Sequence, residues 1–414
     1  MNTSWIDHAI WWHVYPLGFT GALGSGPGHR LTRLVDWLDY AIELGANGLQ
    51  LGPVFAAESH GYDTVDHFRI DPRLGDDADF DKLIAACRDR GMRVLLDGVF
   101  NHVGRGFPVP DPATWYRRND AGDVLVFEGH AGLPELNLDE PAVLDHVVRV
   151  MNHWLDRGAD GWRLDAAYAI RPDFWRAALR RVRAEHPDAW FAGEVIHGDY
   201  TGYLRESTLD GITQYELWKA LWSSLNDRNL FELSWALQRH GDVLAAGTPL
   251  TFAGNHDVTR LASRLDDERH LGHALAVLFT TGGVPSVYYG DEQAFRGVKE
   301  DRPGGDDAVR PEYPARPAEL AQYGWPVYHL HRRLIGLRRR HPWLVRARTE
   351  AAHLTNEAAA LVSSDASNRV VTLLNVGDDP YTFPIDTSGL TVAESSAPLR
   401  GLEVPAHSWA ILTP

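Results

Sequence analysis

Short apolar runs alternate with amphipathic segments along most of the chain. Eight runs are mostly apolar, and each ends in glycine or polar residues, as buried strands do. These runs occupy residues 9–16, 46–55, 93–102, 160–168, 189–195, 209–217, 247–257 and 282–292. The segments between them, such as FDKLIAACRDRG, have helical periodicity, and several end at glycine, as helix C-termini do. Eight strand–helix repeats predict an α/β protein with a (β/α)8 TIM barrel; a doubly wound parallel sheet is the alternative.

Two stretches depart from this alternation and predict the domain organisation. Residues 102–140 are rich in Gly, Pro and Asp, and they interrupt the pattern between the third strand and the third helix. Beyond residue 345, short β-type runs are separated by turn residues. We therefore expect a barrel domain, the one able to hold a catalytic site, at residues 1–101 and 141–344. A short inserted subdomain is expected at 102–140, and a C-terminal all-β sandwich domain at 345–414.

Composition narrows the class of protein. The chain has 414 residues, 44% of them hydrophobic, and a net charge of −16. This charge argues against binding to nucleic acid or to an anionic membrane surface. The N-terminus lacks the pattern of a secretory signal, and no run reaches the length of a membrane span. Cys87 is the only cysteine, so neither a disulfide nor a cysteine metal cluster is expected. We expect a soluble, cytoplasmic protein.

Candidate chemistry gathers where the predicted strands end. Asp97, Asp165, Glu194 and Asp257 each lie at the C-terminal end of an apolar run, which is the face of a barrel where active sites are built. Any one of these acids could cap a helix or pair with a nearby arginine. Four at equivalent positions suggest a function, because converging carboxylates cost electrostatic energy.

Two reaction classes use carboxylates in this way. Glycoside hydrolysis needs a nucleophile or base, an acid with a raised pKa, and stabilisation of an oxocarbenium-like transition state. A two-metal hydrolase is the alternative, but such barrels usually show His-x-His or other densely spaced ligands. His102 and His256 have no such neighbour, so the pattern favours glycoside hydrolysis without a metal.

Four segments then resemble the signature regions of the α-amylase family of glycoside hydrolases, in the correct order. They are DGVFNH (97–102), GWRLDAAY (161–168), GEVIH (193–197) and NHD (255–257). HGYDTVDHFRIDPRLG (60–75) and LPELNLDEP (133–141) resemble two further blocks of that family. The resemblance extends from about residue 10 to 340, and LPELN and GWRLD are similar to the neopullulanase-like branch.

This resemblance implies a retaining mechanism with three catalytic carboxylates. Asp165 would be the nucleophile that forms a β-glycosyl-enzyme, Glu194 the general acid and then the base, and Asp257 the acid that holds sugar hydroxyls and stabilises the transition state. Asp97 would be structural. The resemblance also implies substrate-binding roles, with Tyr62 stacking under the sugar and three residues contacting the sugar or the nucleophile: His102, Arg163 and His256.

The expected electrostatics follow from the neighbours of the two central acids. Arg163 lies two residues before Asp165, so in a strand both side chains point to the same face. The guanidinium is expected to lower the pKa of Asp165 and to keep it ionised. The pKa of Glu194 is expected to be raised, because it lies on an apolar run with Asp165 and Asp257 as like charges.

Some positions depart from the family pattern. The loop after the first strand has no carboxylate, so the calcium site that many members have there is expected to be absent. Asn101 matches another calcium-ligand position, which leaves calcium as an alternative to no cofactor. Ile196 and the AAYA after Asp165 differ from the neopullulanase-like branch. Because the first predicted strand begins near residue 9, we also expect no domain before the barrel of the kind that members of this branch have.

One further pair is suggested by exo-acting α-glucosidases of the family. Asp63 and Arg310 could form an ion pair that closes the non-reducing side of the site and favours small substrates. The alternative is that Arg310 is a solvated loop residue.

The sequence thus predicts hydrolysis of α-glucosidic bonds in a small α-glucan or oligosaccharide. The first alternative uses the same site for transglycosylation or for isomerisation of a disaccharide. The second is a non-catalytic, membrane-anchored transporter subunit of similar fold, which the retention of all three acids disfavours.

Overall fold

Eight parallel strands form the barrel in the computed structural model, which describes residues 5–302 and 304–414. Each of the eight predicted apolar runs contains one barrel strand. The barrel strands are β1 (Trp11–Val14), β2 (Gly48–Leu51), β5 (Arg93–Gly98), β6 (Gly161–Leu164), β7 (Trp190–Gly193), β8 (Gly211–Ile212), β9 (Leu250–Phe252) and β10 (Val284–Tyr288). A hairpin of β3 (Phe55–Ala57) and β4 (Thr64–Ile70) follows the second barrel strand.

The strand order closes the sheet. Hydrogen-bonded neighbours run β8-β7-β6-β5-β2-β1-β10-β9, and every pair is parallel. A parallel bridge between Thr213 and Leu250 brings the two ends of this order together. The predicted (β/α)8 barrel is therefore confirmed, and the doubly wound alternative, which leaves an open sheet, is wrong.

Helices follow the strands around the barrel. They are α1 (Pro16–Phe19), α2 (Leu38–Leu44), α3 (Asp77–Asp89), α4 (Pro112–Trp115), α5 (Pro141–Asp156), α6 (Pro172–Glu185), α7 (Tyr200–Ser207), α8 (Tyr215–Asn226), α9 (Leu230–Leu244), α10 (Leu261–Arg264), α11 (Leu271–Thr280) and α12 (Trp325–Arg340). Helix α3 begins at a capping box in which Asp76 and Asp79 bond each other's backbone N–H groups. None of the described helices has the length and hydropathy of a membrane span.

The barrel interior divides into an apolar lower part and a charged upper part. Trp11 and Trp190 stack with ring centroids 6.2 Å apart and pack with Leu95, Leu250 and Val284. The next inward position along a strand lies two residues later, nearer the carboxyl end. In β5 and β6 these upper positions carry Asp97 and Arg163. The strand period thus places charges on the face where the predicted site lies.

The inserted residues 102–140 lie between β5 and α5 and have a small core of their own. Val103, Phe107, Trp115 and Leu136 pack with Val143 of α5. Isolated bridges join His102 to Glu135 and Val126 to Pro134, so the segment folds back toward the barrel. The domain boundaries given above stay predictions.

The C-terminal region is all-β, as predicted. Its strands are β11 (Arg348–Leu354), β12 (Ala358–Ser364), β13 (Arg369–Asn375), β14 (Tyr381–Thr382), β15 (Thr391–Ser395), β16 (Glu403–Val404) and β17 (Ser408–Thr413). Five of them form an antiparallel sheet in the order β11-β12-β13-β17-β15, and β14 pairs with β16. One face of this sheet shares the main apolar core with the barrel, and the other packs against Phe383 and Val404.

Candidate active site

The three predicted catalytic acids line one cavity at the carboxyl ends of the barrel strands. Asp165 follows β6 directly, Glu194 follows β7, and Asp257 lies in the loop after β9. The cavity has a volume of about 490 Å³, within the range of about 300–1,000 Å³ that is usual for small-ligand sites. Its lining residues are His60, Tyr62, His102, Phe127, Glu128, His130, Leu133, Asp165, Ala166, Tyr168, Glu194, Ile196, Tyr215, Asp257, Lys299, Asp306 and Arg310.

Arg163 joins three carboxylates beneath this cavity. Its Nη1 lies 2.8 Å from Oδ1 of Asp165 and 2.8 and 3.0 Å from the two oxygens of Asp97. Its Nη2 lies 2.6 Å from Oε1 of Glu194. The guanidinium is buried, and the planar fork of an arginine can donate to several acceptors at once. Arg163 therefore holds the candidate nucleophile and the candidate acid in a fixed relation.

Asp97 lies below the other acids and is not part of the cavity wall. Its carboxylate accepts the hydrogen bonds from Arg163 and another, of 3.1 Å, from the hydroxyl of Tyr62. Its buried position, with partners on both oxygens, agrees with the expectation of a structural acid that positions Arg163 and Tyr62.

Burial raises the pKa of both Asp165 and Glu194, and Arg163 opposes this rise in each case. For Glu194 the direction is the one expected from the sequence, and it suits a group that must carry a proton. For Asp165 the expectation of a lowered pKa is wrong, because the desolvation of the carboxyl outweighs the effect of the guanidinium. Arg163 limits the rise rather than reversing it.

Asp257 has the opposite electrostatic setting. Its Oδ1 lies 2.7 Å from Nη2 of Arg310, and its Oδ2 lies 2.8 Å from Nε2 of His256. Burial alone would raise the pKa of Asp257, but His256, Arg310 and Arg163 together hold this pKa well below its usual range. Asp257 thus holds a proton less readily than Asp165 and Glu194, whose pKa values are both raised.

Glu194 is positioned by contacts that the sequence reasoning missed. The backbone N–H of Ala166 donates to Oε2 at 3.0 Å, and Ala166 has a positive φ of 45°, which is unusual for a residue with a Cβ. The hydroxyl of Tyr215 donates to Oε1 at 3.2 Å and accepts from the amide of Asn255 at 2.8 Å. Tyr215 lies near the end of the sixth apolar run, and this position could have identified it had uncharged residues been considered.

Tyr62 and His256 form an aromatic pair beside the acids. Their rings are nearly parallel, with centroids 5.4 Å apart and an angle of 7° between the planes, and the Tyr62 hydroxyl bonds Nε2 of His256. His102 stacks on Phe127 with centroids 4.4 Å apart, and burial lowers the pKa of His102 to about 4. Tyr62 and His102 line the cavity, whereas His256 lies behind Tyr62 and Asp257.

The predicted ion pair between Asp63 and Arg310 is wrong. Arg310 instead binds Asp257 and, at 3.0 Å, the carboxylate of Asp306. Asp63 accepts hydrogen bonds from the hydroxyl of Ser59 and the backbone N–H of Gly61. Arg310 is buried rather than solvated, because its loop is held against the barrel by hydrogen bonds to the carbonyls of the residues on either side of it.

The inserted segment supplies one wall of the cavity. Glu128 accepts a hydrogen bond of 2.6 Å from the hydroxyl of Tyr168, which lies in the AAYA stretch after Asp165. Glu128 also has a positive φ of 49°, so its backbone is in the left-handed region. Nothing in the spacing of the sequence pointed to Glu128, because the contact joins two irregular segments.

Asn101 and the tryptophans lie outside the cavity lining. Asn101 is buried with its amide 3.4 Å from Nδ1 of His102, and the described residues place no cluster of three His or acidic ligands around it. A calcium ion at Asn101 stays a prediction. The cavity lining contains none of the 15 tryptophans; among the described residues they are largely core or helix-surface side chains.

Comparisons with known proteins identify the family of this chain. The family model of the α-amylase catalytic domain matches residues 13–123 and 109–369. A cyclomaltodextrinase from a Bacillus species is 31% identical over 71% of this chain and 60% of its own length. An intracellular maltogenic amylase from Bacillus subtilis is 29% identical over 72% of this chain and 57% of its own.

Solved structures match the whole chain. The cyclic α-maltosyl-(1→6)-maltose hydrolase from Arthrobacter globiformis has a TM-score of 0.84 at 27% identity and covers all of both chains. The debranching enzyme from Nostoc punctiforme also has a TM-score of 0.84, at 25% identity over 99% of both chains.

The chain belongs to the α-amylase family of glycoside hydrolases, as its four signature segments indicated. Its curated relatives place it in the neopullulanase-like branch of that family. The chain spans about 60% of the length of curated relatives such as these.

Proposed function

We propose that this protein hydrolyses α-glucosidic bonds in short α-linked gluco-oligosaccharides with retention of anomeric configuration. The observation that carries this proposal is the single guanidinium of Arg163, which bonds both Asp165 and Glu194 at the floor of a cavity that Asp257 also lines. One ionised nucleophile, one protonated acid and a third carboxylate are what the retaining reaction requires.

In the first step, a carboxylate oxygen of Asp165 attacks the anomeric carbon of the bound sugar. Glu194 donates its proton to the glycosidic oxygen, and the leaving sugar departs as an alcohol. The product is a β-glycosyl ester of Asp165. In the second step Glu194, now ionised, takes a proton from water, which attacks the same carbon and releases Asp165. Asp257 remains ionised and stabilises the positive charge that develops on the sugar.

The residues around the acids position the nucleophile and bind the sugar. Arg163 keeps Asp165 from taking up a proton and fixes its distance to Glu194. Tyr62 offers an aromatic face to the sugar, and His102 a neutral imidazole with which to bond a sugar hydroxyl. The reaction uses these side chains without a metal or an organic cofactor.

The names of the relatives support short or cyclic maltodextrins as the substrate class. A cyclomaltodextrinase, a maltogenic amylase and a hydrolase of cyclic α-maltosyl-(1→6)-maltose are among them. One relative is named as intracellular, which supports a cytoplasmic location for this chain also.

Product analysis tests the proposal. The protein is incubated with maltose, isomaltose, maltotriose, sucrose, trehalose, cyclodextrin and starch, and the first product is followed by NMR. We expect an α-anomer from a short maltodextrin and no turnover by Asp165→Ala, while Asp173→Ala, an exposed acid on α6, keeps wild-type activity. A β-anomer, or equal turnover by wild type and Asp165→Ala, would contradict the mechanism.

The same assay distinguishes hydrolysis from transfer. Both reactions pass through the same glycosyl-enzyme, and they differ in whether water or a sugar hydroxyl attacks it. Reducing sugar that rises with substrate loss indicates hydrolysis, whereas longer or isomeric sugars without a rise in reducing ends indicate the transglycosylase or isomerase alternative.

A further inference from the structure

A cluster of two histidines and one aspartate lies away from the active site, where the barrel meets the C-terminal sheet. Asp267 and His270 lie on the turn that leads into α11, and His407 lies on the turn before β17. We propose that these three residues bind a divalent transition-metal ion of the zinc type, which links the barrel to the C-terminal sheet. This proposal does not depend on the proposed glycosidase activity.

The spacing of the ligand atoms fits a single ion. His270 Nε2 lies 3.0 Å from His407 Nδ1, and His407 Nδ1 lies 3.9 Å from Oδ2 of Asp267. One ligand atom from each residue lies within 4.8 Å of the other two. Zinc bonds of 2.0–2.1 Å in tetrahedral geometry place neighbouring ligand atoms about 3.3 Å apart. Side-chain rotations that shorten the longer of these distances by about 0.5 to 1.5 Å would bring the atoms to that spacing.

His407 is oriented as a metal ligand. Its Nε2 lies 2.8 Å from Oδ1 of Asp378, so the proton of the neutral ring belongs on Nε2 and the lone pair on Nδ1 faces His270. A carboxylate that fixes the far nitrogen of a histidine is the usual outer partner of a bound metal. His407 also has a positive φ of 49°, and its backbone N–H donates to Gly377. The turn therefore holds the ring in place.

The charges around the cluster permit a cation. The backbone N–H and the guanidinium of Arg269 donate to both oxygens of Asp267, so the ion would replace one of the hydrogen bonds at Oδ2. The ring of His270 would bind the ion through Nε2, the atom that faces His407. Arg228 pairs with Asp378 and balances that second carboxylate.

His273 completes the surroundings without being a ligand. Its ring centroid lies 5.1 Å from that of His270, but its Nε2 donates to the carbonyls of Asn375 and Ser408. It therefore ties α11 directly to the C-terminal sheet, at the place where the proposed ion would add a second tie.

The ligand set favours zinc over the hard cations. Calcium and magnesium prefer oxygen ligands, whereas two imidazole nitrogens with one carboxylate are a set that zinc binds readily, with water in the fourth position. Asp267 is partly exposed, which gives the ion a path from solvent.

Titration of the whole chain with Co²⁺ and Zn²⁺ tests the proposal. Protein freed of metal with a chelator is titrated with Co²⁺, whose visible absorption reports four-coordinate binding, and Zn²⁺ is then added to displace it. We expect one equivalent to bind and Zn²⁺ to raise the Tm of the wild type. Both effects should be lost in His270→Ala and His407→Ala.

Two further variants test the outer partner of His407 and provide a control. Asp378 is exposed, so Asp378→Asn should fold, and we expect it to weaken Zn²⁺ binding by about 10- to 100-fold. His29→Ala is the matched control, because His29, Asp76 and Asp79 form the other group of possible ligands among the described residues. Binding that persists in both His270→Ala and His407→Ala, or that is lost in His29→Ala, would overturn the proposal.

Discussion

At the scale of single residues, Arg163 is the group on which the candidate site depends most. Its guanidinium contacts Asp97, Asp165 and Glu194, and it is the main influence that lowers the pKa of Asp165 against the effect of burial. The nucleophile must be ionised, so activity is lost as the pH falls through the pKa of Asp165. A weaker cation at this position leaves that pKa higher, and the acid limb of the pH profile then moves to higher pH.

We therefore predict that Arg163→Lys lowers kcat/KM by about 100-fold or more and shifts the acid limb upward, because one ammonium cannot reproduce the planar fork. The dependence of kcat/KM on pH measures both effects. Arg149→Lys, at an exposed position on α5, is the control and should match the wild type. An acid limb that is unchanged, or that moves to lower pH, would refute the assigned electrostatic role.

The residues that could be predicted from the sequence are those whose position follows from strand periodicity. The sequence predicted Asp165, Glu194 and Asp257 because each acid follows a predicted strand, and the carboxyl ends of the parallel strands of a barrel lie on one face. The Asp63–Arg310 pair was wrong because it needed the path of an irregular loop, and Glu128 was missed for the same reason. The raised pKa of Asp165 depends on a depth of burial that no local pattern reveals.

At the scale of elements, the inserted segment contributes Glu128 to the cavity wall, where it meets Tyr168. We predict that Glu128→Ala raises KM for oligosaccharides by about 2- to 10-fold, the effect of one hydrogen bond, with a smaller change in kcat. Glu128→Gln keeps an acceptor for the Tyr168 hydroxyl and should stay near the wild-type KM. Steady-state kinetics on maltotriose measure this difference, and an equal loss in both variants would point to charge rather than to the contact with Tyr168.

Helix α12 stabilises the end of α11 through one buried arginine. Arg338 donates to the carbonyls of Phe279, Thr281 and Gly283, at 3.1 Å and 2.7 Å for the first two. Arg338→Met leaves three buried carbonyls without this donor, and we predict a loss of about 3 kcal/mol or more in the free energy of unfolding. Urea unfolding measures this loss. Arg332→Met, exposed on the same helix, should change it by less than about 0.5 kcal/mol; equal losses would contradict the argument.

At the scale of the whole molecule, the barrel could be predicted because its strands and helices repeat with regular periods. The β3–β4 hairpin was not predicted. Its residues lie between the second and third barrel strands, where the strand–helix repeat predicts no additional strands. The contact between barrel and C-terminal sheet was also not predictable. This contact depends on which face of the C-terminal sheet packs against α11. Residues far apart in sequence decide that packing.

This contact makes the C-terminal region part of one folding unit. Every residue of α11 from Gly272 to Thr280 is buried, and Leu374, Trp409 and Ile411 of the sheet belong to the same apolar core. Burial of side chains of this size contributes about 1.5–3 kcal/mol each, and a whole protein is stable by only about 5–15 kcal/mol. Removal of the sheet would therefore expose apolar surface whose burial contributes a free energy comparable to the total stability of the protein.

We predict that a chain ending at Arg346 aggregates or lacks a cooperative thermal transition, whereas the full chain unfolds in one calorimetric transition that includes both parts. Size-exclusion chromatography and calorimetry measure this. A milder variant, Gly272→Val, should lower Tm while leaving the chain folded, because a Cβ at this position would lie 2.4 Å from Nε1 of Trp409. A truncated chain that is monodisperse and active, together with an unchanged Tm for Gly272→Val, would show that the barrel does not need the sheet.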